Sequence, residues 1–199
     1  MQRGLRMFSL SLVMLFLAAL PRVVFAHEGH DHGDGGFASG FSHPLTGVDH
    51  LIAMIAIGLW AAQIGSRAVV VLPAAFVSMM LAGGTLALNG VQVPAIEPGI
   101  VASVLVLGLL IAVAAKLPLM AGIIITALFA FVHGAAHGQE LGESSPLVFA
   151  LGAMLASTML HIAGALLGTG IKAKLGAMPV RVAGGVIAAM GLLMAVSVL

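Results

Sequence analysis

Two short segments concentrate imidazoles and carboxylates in this chain: His43-Pro-Leu-Thr-Gly-Val-Asp49-His50 and His133-Gly-Ala-Ala-His137-Gly-Gln-Glu140. Neutral imidazole nitrogen and carboxylate oxygen suit borderline divalent ions such as Ni²⁺, Co²⁺ and Zn²⁺. His133 and His137 are four residues apart, so on a helix they share a face that Glu140 at i+7 continues. His43 and His50 are two helical turns apart, with Asp49 adjoining His50, which points to a metal or proton role. Structural readings compete. His133 can simply hydrogen-bond a neighbouring helix, and Asp49 suits the positive end of a helix dipole, as Pro44 suits a first turn. Neither explains why each segment carries two imidazoles.

The remaining histidines are more scattered. His161 lies inside an apolar run and is either a deeper relay for an ion or proton or a packed polar residue beside Ser157 and Thr158. His27, His30 and His32 sit in a Gly- and Asp-rich stretch, where they can capture metal weakly or form nothing more than a solvated tail. The twelve methionines show no clustered Met-x-Met pattern for Cu(I) and read as core filler.

The elements that must position these residues follow from hydropathy. The chain is 61% hydrophobic and 8% charged, with a single Trp and no Tyr. Apolar runs recur along its whole length, which indicates an integral membrane protein. A hydrocarbon core of about 30 Å takes roughly 20 helical residues per crossing. The 173 residues after position 26 therefore allow about six crossings with short connections, and no soluble module. A net charge of +1 with no basic patch argues against nucleic acid as a partner. The absence of Cys excludes disulfides, thiolate metal sites and cysteine catalysis.

Residues 1–26 read as a cleaved signal peptide: Arg3 and Arg6, an apolar stretch over 7–20, and a small-residue end at Ala26. An uncleaved anchor is the alternative. Cleavage would leave residues 27–42 as a polar, unstructured tail outside the cytoplasm, followed by the transmembrane domain 43–199. The expected spans are 43–64, 68–88, 99–115, 119–138, 147–169 and 180–199. Only 16 residues separate His50 from Arg67. Their 14-residue apolar part covers about 21 Å, so the first helix is expected to draw the His43–His50 segment into the membrane. Short connections imply consecutive helices packed as antiparallel neighbours.

With the mature N-terminus outside, every basic residue of the mature chain (Arg67, Lys116, Lys172, Lys174 and Arg181) falls on the inner side, and Glu97, Glu140 and Glu143 fall outside. Both histidine segments then face the outer side. Gly134/Gly138, Gly164/Gly168 and Gly58/Ala62 form small-xxx-small faces that support close helix packing. Polar-interrupted helices in the first and fourth spans also raise the prospect of an inverted three-plus-three repeat.

At residues 43–50 the chain resembles the HupE/UreJ proteins, whose first signature is His, five residues, then Asp-His. Residues Val132-His133-Gly-Ala-Ala-His137-Gly-Gln-Glu140 resemble their second, Phe-His-Gly-x-Ala-His-Gly-x-Glu, except that Val132 replaces Phe and Phe131 stands one place earlier. The order of the motifs, the leader and the six-span layout extend the resemblance over essentially the whole chain. It implies a nickel or cobalt permease of the bacterial inner membrane serving hydrogenase or urease maturation. Its functional residues would be His43, Asp49 and His50 in the first motif and His133, His137 and Glu140 in the second. His161 and the tail histidines lie outside the match.

The expectation is an all-α bundle of six transmembrane helices that transports Ni²⁺ or Co²⁺ as substrate, has no permanent cofactor and is not an enzyme. Ligation needs neutral imidazole, so uptake is expected to fall below about pH 6. Two other classes stay open: an intramembrane metal-dependent enzyme, which would lack any His-Glu-x-x-His helix, and a periplasmic metal-binding sensor, for which six spans are excessive. No P-loop is present for direct use of ATP.

Overall fold

A computed structural model describes residues 36–140 and 145–198. The signal peptide expected at 1–26 and residues 27–35 of the expected tail, including His27, His30 and His32, lie outside the described residues, as does the turn at 141–144. Seven helices and no strand occupy the described residues: α1 (Phe37–Thr46), α2 (Val48–Ile64), α3 (Ser66–Leu88), α4 (Ile96–Ala112), α5 (Leu119–Glu140), α6 (Pro146–Leu175) and α7 (Met178–Val198). In hydrocarbon every backbone N–H and C=O must be satisfied within the segment, and continuous helices achieve this. Four of them (α3, α5, α6 and α7) are long and apolar enough to cross a membrane. Taken as one broken span, the bent pair α1–α2 makes five. Helix α4 is apolar, but its 17 residues reach only about 25 Å.

The surface is inverted relative to a soluble protein. Leu166 and Leu193 are 67% and 72% exposed, while His133, His161, Thr126 and Ser157 are wholly buried. Apolar side chains face outward and polar ones inward, as a bilayer solvent requires.

Three expectations are corrected. The first span is not one helix from His43: α1 begins at Phe37, breaks at Gly47, and meets α2 at a bend of 80°. Residues 37–42, expected in an unstructured tail, are therefore helical, and Gly40 packs against the backbone of Phe149 on α6. Pro44 sits in the last turn of α1 instead of starting a helix. The physical cause of the break is local. Gly47 is extended (φ −72°, ψ 113°) and hands its N–H to the His43 carbonyl at 3.1 Å before α2 starts. Second, α6 continues through Leu175, which places Lys172 and Lys174 in its last turn, where cations favour the helix dipole.

Third, the tightest helix pairs are not consecutive. Gly83 and Gly134 bring α3 and α5 together in parallel: a Cβ on Gly134 would run into the Met80 carbonyl, and one on Gly83 into that of Phe131. Gly58 and Gly164 do the same for α2 and α6, again in parallel, with Gly58 against the His161 carbonyl and Gly164 against that of Ile55. Gly108, Gly184 and Gly191 join α4 and α7 antiparallel. Backbones can approach this closely only where no Cβ intervenes, so small residues override sequence adjacency in choosing neighbours. A single residue, Gly65 at φ +144°, reverses the chain between α2 and α3.

At the end away from the motifs, Gln63 Nε2 donates to the Ile111 carbonyl (3.2 Å) and Arg181 Nε to that of Ala112 (2.9 Å). These bonds tie the C-termini of α2 and α4 to each other and to the start of α7. The core between the pairs is filled by Trp60, Phe76, Met54, Ile57 and Leu72, all fully buried.

Candidate functional site: a histidine cluster between three helices

The break at Gly47 turns the two ends of the first motif toward each other. His43 on α1 and His50 on α2 have ring centroids 5.3 Å apart. Helix α5 brings the second motif against them, with His137 at 4.7 Å from His43 and 5.0 Å from His50. One ligand nitrogen from each of His43, His50 and His137 lies within 4.8 Å of the other two. Two nitrogens bound to one ion at about 2.05 Å would be about 3.3 Å apart in tetrahedral geometry. The trio is therefore looser than a closed structural site and has room for a partly hydrated ion.

His133 follows one turn deeper on α5, its ring 4.9 Å from that of His50. Beyond it, the Phe76 ring lies 5.7 Å from His133 and 4.8 Å from His161. Five imidazoles from four helices thus form a chain into the bundle, interrupted once by an aromatic ring. On the outer side Phe149 stands 6.0 Å from His43 and 6.1 Å from His137.

Hydrogen bonds set the tautomers. Asp49 Oδ1 accepts from the backbone N–H of His50 at 2.8 Å and faces His50 Nδ1 at 2.9 Å. A carboxylate opposite Nδ1 puts the proton there and leaves the Nε2 lone pair for an ion, as in carboxylate–histidine–metal triads. His133 Nδ1 faces the Phe129 carbonyl at 2.9 Å, so that nitrogen donates and Nε2 is again the bare one. Within the protein, His50 Nε2, His133 Nε2 and both nitrogens of His137 are buried without a hydrogen-bond partner. Native interiors leave few such atoms unsatisfied, and those that occur mark ion, water or catalytic positions.

Of the expected site residues, the structure brings His43, His50, His133 and His137 together. Asp49 is in the first turn of α2, where a carboxylate suits the helix dipole, and its Oδ1 faces His50 Nδ1. Glu140 ends α5, and its side chain lies outside the described residues. His161 is buried deeper, beyond Phe76. Gly47, Phe76 and Phe149 were not singled out from sequence. Gly47 matters because a Cβ there would sit 3.2 Å from Asp49 Oδ1 and 3.3 Å from His50 Nδ1, crowding the bond that orients His50. Its position inside the first motif was the available signal.

The motifs, once folded, meet the relatives. The HupE / UreJ protein family model matches residues 14–194. Protein HupE of Rhizobium leguminosarum bv. viciae is 40% identical over 174 residues, covering 87% of this chain and 90% of that protein. No solved structure matches. A match from before the first motif to the last helix leaves the assignment in no doubt, and the chain belongs to the HupE/UreJ family.

Proposed function

We propose that this protein is a permease that carries a divalent transition-metal ion, Ni²⁺ or Co²⁺, across the bacterial inner membrane, in support of hydrogenase or urease metallation. The observation that carries the reading is the convergence of imidazoles from α1, α2 and α5 inside a bundle whose exterior is apolar, with buried, unpartnered ring nitrogens on His50, His133 and His137. Imidazole suits these ions, and a loosely spaced trio binds a cation weakly enough to release it. His43, His50 and His137 ligate the ion, His133 receives it one turn deeper, and Asp49 orients His50. Glu140 lends charge at the mouth.

The membrane arrangement completes the reading. The α1–α2 pair is a broken first span and α4 a short third, making six spans in all after a signal peptide at 1–26. The basic residues Arg67, Lys116, Lys172, Lys174 and Arg181 face the cytoplasm, and the mature N-terminus with the histidine cluster faces the periplasm. His27, His30 and His32 capture the ion weakly before it enters. No permanent cofactor is needed.

The test is uptake of radiolabelled Ni²⁺ into liposomes holding the purified chain, with competing Co²⁺ and Zn²⁺, and with and without an imposed pH gradient. Saturable uptake that His50→Ala abolishes supports the reading. Retained binding with no ion crossing the bilayer refutes it in favour of a sensor. Dependence on the gradient separates proton coupling from facilitated diffusion.

A further inference from the structure

The histidine cluster does not exhaust the buried polar atoms without partners. Six more occur among the described residues: Trp60 Nε1, Gln63 Oε1, the hydroxyls of Thr126 and Ser157, and both ring nitrogens of His161. All of them sit on α2, α5 and α6. Helices α2 and α5 also supply His50, His133 and His137.

Thr126 and Ser157 are exceptions to a local rule. A hydroxyl within a helix ordinarily bonds back to the preceding turn. Thr158 does so with the Met154 carbonyl (2.7 Å), Thr169 with that of Ala165 (2.9 Å), Ser78 with that of Ala74 (2.8 Å), and Ser103 with that of Ile100 (2.6 Å). Ser157, adjacent to Thr158, is fully buried yet makes no such bond, and neither does Thr126. These two hydroxyls are kept available.

On α5, Thr126 lies two turns inward of His133, while α6 runs inward parallel to α2, so Ser157, one turn before His161, stands between the depth of the cluster and that of His161. Trp60 and Gln63 occupy the last turns of α2, where Gln63 spends its amide N–H on the Ile111 carbonyl and leaves its oxygen free. Buried polar groups retained against their cost are satisfied by water or an ion.

We propose that Ser157, His161, Thr126, Trp60 and Gln63 line a hydrated ion route between α2, α5 and α6, leading from the histidine cluster toward the basic end of the bundle. The proposal rests on the permease reading. His161 is the one imidazole station among these five. Hydroxyl and amide oxygens exchange with the ion's water, and the Trp60 N–H orients that water. With no carboxylate or thiolate among these five side chains, the ion is passed on without being trapped.

The chain has no cysteine, so single replacements can report on water. Ser157→Cys and Thr126→Cys lie on the route. Ala156→Cys, equally buried on α6, is the control. Only a thiolate in contact with water reacts with a charged methanethiosulfonate, so in proteoliposomes the route positions are expected to react about tenfold faster or more than the control. Added Ni²⁺ should slow them. His161→Phe is expected to keep the Co²⁺ absorption of the outer cluster while slowing uptake about tenfold, the loss of one favourable binding step. Equal, slow labelling at all three positions overturns the proposal, as does full uptake by His161→Phe. If one cysteine variant does not fold, the other carries the comparison. Labelling of the route without any Ni²⁺ uptake by the unmodified chain would refute the permease reading and leave the hydrated route standing. Uptake without labelling would do the reverse.

Discussion

Replacing Asp49 by Asn separates an orienting carboxylate from a ligand. Oδ1 of Asp49 accepts the His50 amide N–H at 2.8 Å and the His50 Nδ1 proton at 2.9 Å. Asn keeps an acceptor of nearly the same shape but loses the charge. The amide bond is the same with and without metal, so it cancels from the binding equilibrium. The Nδ1 bond does not cancel, because an ion on Nε2 makes Nδ1–H more acidic and strengthens its bond to a carboxylate. Charge-assisted bonds are worth about 1.5–3 kcal/mol against about 0.5–1.5 for neutral ones, a difference of about 1.25 kcal/mol between midpoints, or nearly tenfold in affinity. That is the lower end of the 10- to 100-fold (roughly) lost when outer partners of metal-bound histidines are removed. Asp49→Leu, which frees the tautomer altogether, is expected near the upper end. The dipole contribution of a first-turn carboxylate is only about 0.3–1 kcal/mol, so the fold survives. The assay is Co²⁺ titration of detergent-solubilised protein, followed by d–d absorption, for the parent chain, Asp49→Asn, Asp49→Leu and His50→Ala. An Asp49→Asn loss as large as that of His50→Ala would make Asp49 a ligand and refute the orienting role. Unchanged affinity in both would remove the cluster as the binding site.

Three further outcomes follow from the same geometry. Gly134→Ala forces a Cβ onto the Met80 carbonyl and is expected to destabilise the bundle by about 1–3 kcal/mol, whereas Gly170→Ala, where a Cβ meets open space, leaves thermal stability in detergent unchanged or slightly raised. Equal effects would show that α3 and α5 are not in close contact. Uptake should fall as the outer pH is lowered from about 7.5 to about 5.5, because protonated imidazole cannot ligate, and a flat profile would count against histidine ligation. Deleting residues 27–35 should raise the Ni²⁺ concentration needed for half-maximal uptake at low salt, leave the maximal rate intact, and lose its effect in high salt. A lost maximal rate would place the tail in the transport machinery.

Much of the fold was legible along the chain. Helices α3, α5 and α7 begin and end within two residues of their apolar runs; Asn89-Gly90 ends α3 and Pro118 directly precedes α5, both local signals, whereas α4 covers 96–112 in place of the expected 99–115. The site was legible as two motifs, since His133 and His137 share a face by periodicity alone. The broken first span was not, because the break depends on how Gly47 fits against His43 and Asp49 across the turn. Nor was the contact of Asp49 with the His50 ring, since a first-turn carboxylate and a ligand look alike until the neighbouring ring is placed. Thr126 and Ser157 carry no sequence mark that separates them from Thr158 or Ser103, and only their missing back-bonds do so.

What this sequence determined by itself is its helical, membrane-embedded class and the identity of its two histidine motifs. Both are properties of short windows: apolar length against bilayer thickness, and residue spacing against the helical period. Only the tertiary structure decided which helices touch. Short connections argue for neighbours in sequence, but glycine faces such as Gly83 with Gly134 and Gly58 with Gly164 bring α3 to α5 and α2 to α6. In lipid, helix association gains little from burying one apolar surface against another, so close backbone approach governs partner choice. That choice, made far apart in the chain, gathers the two motifs into one cluster.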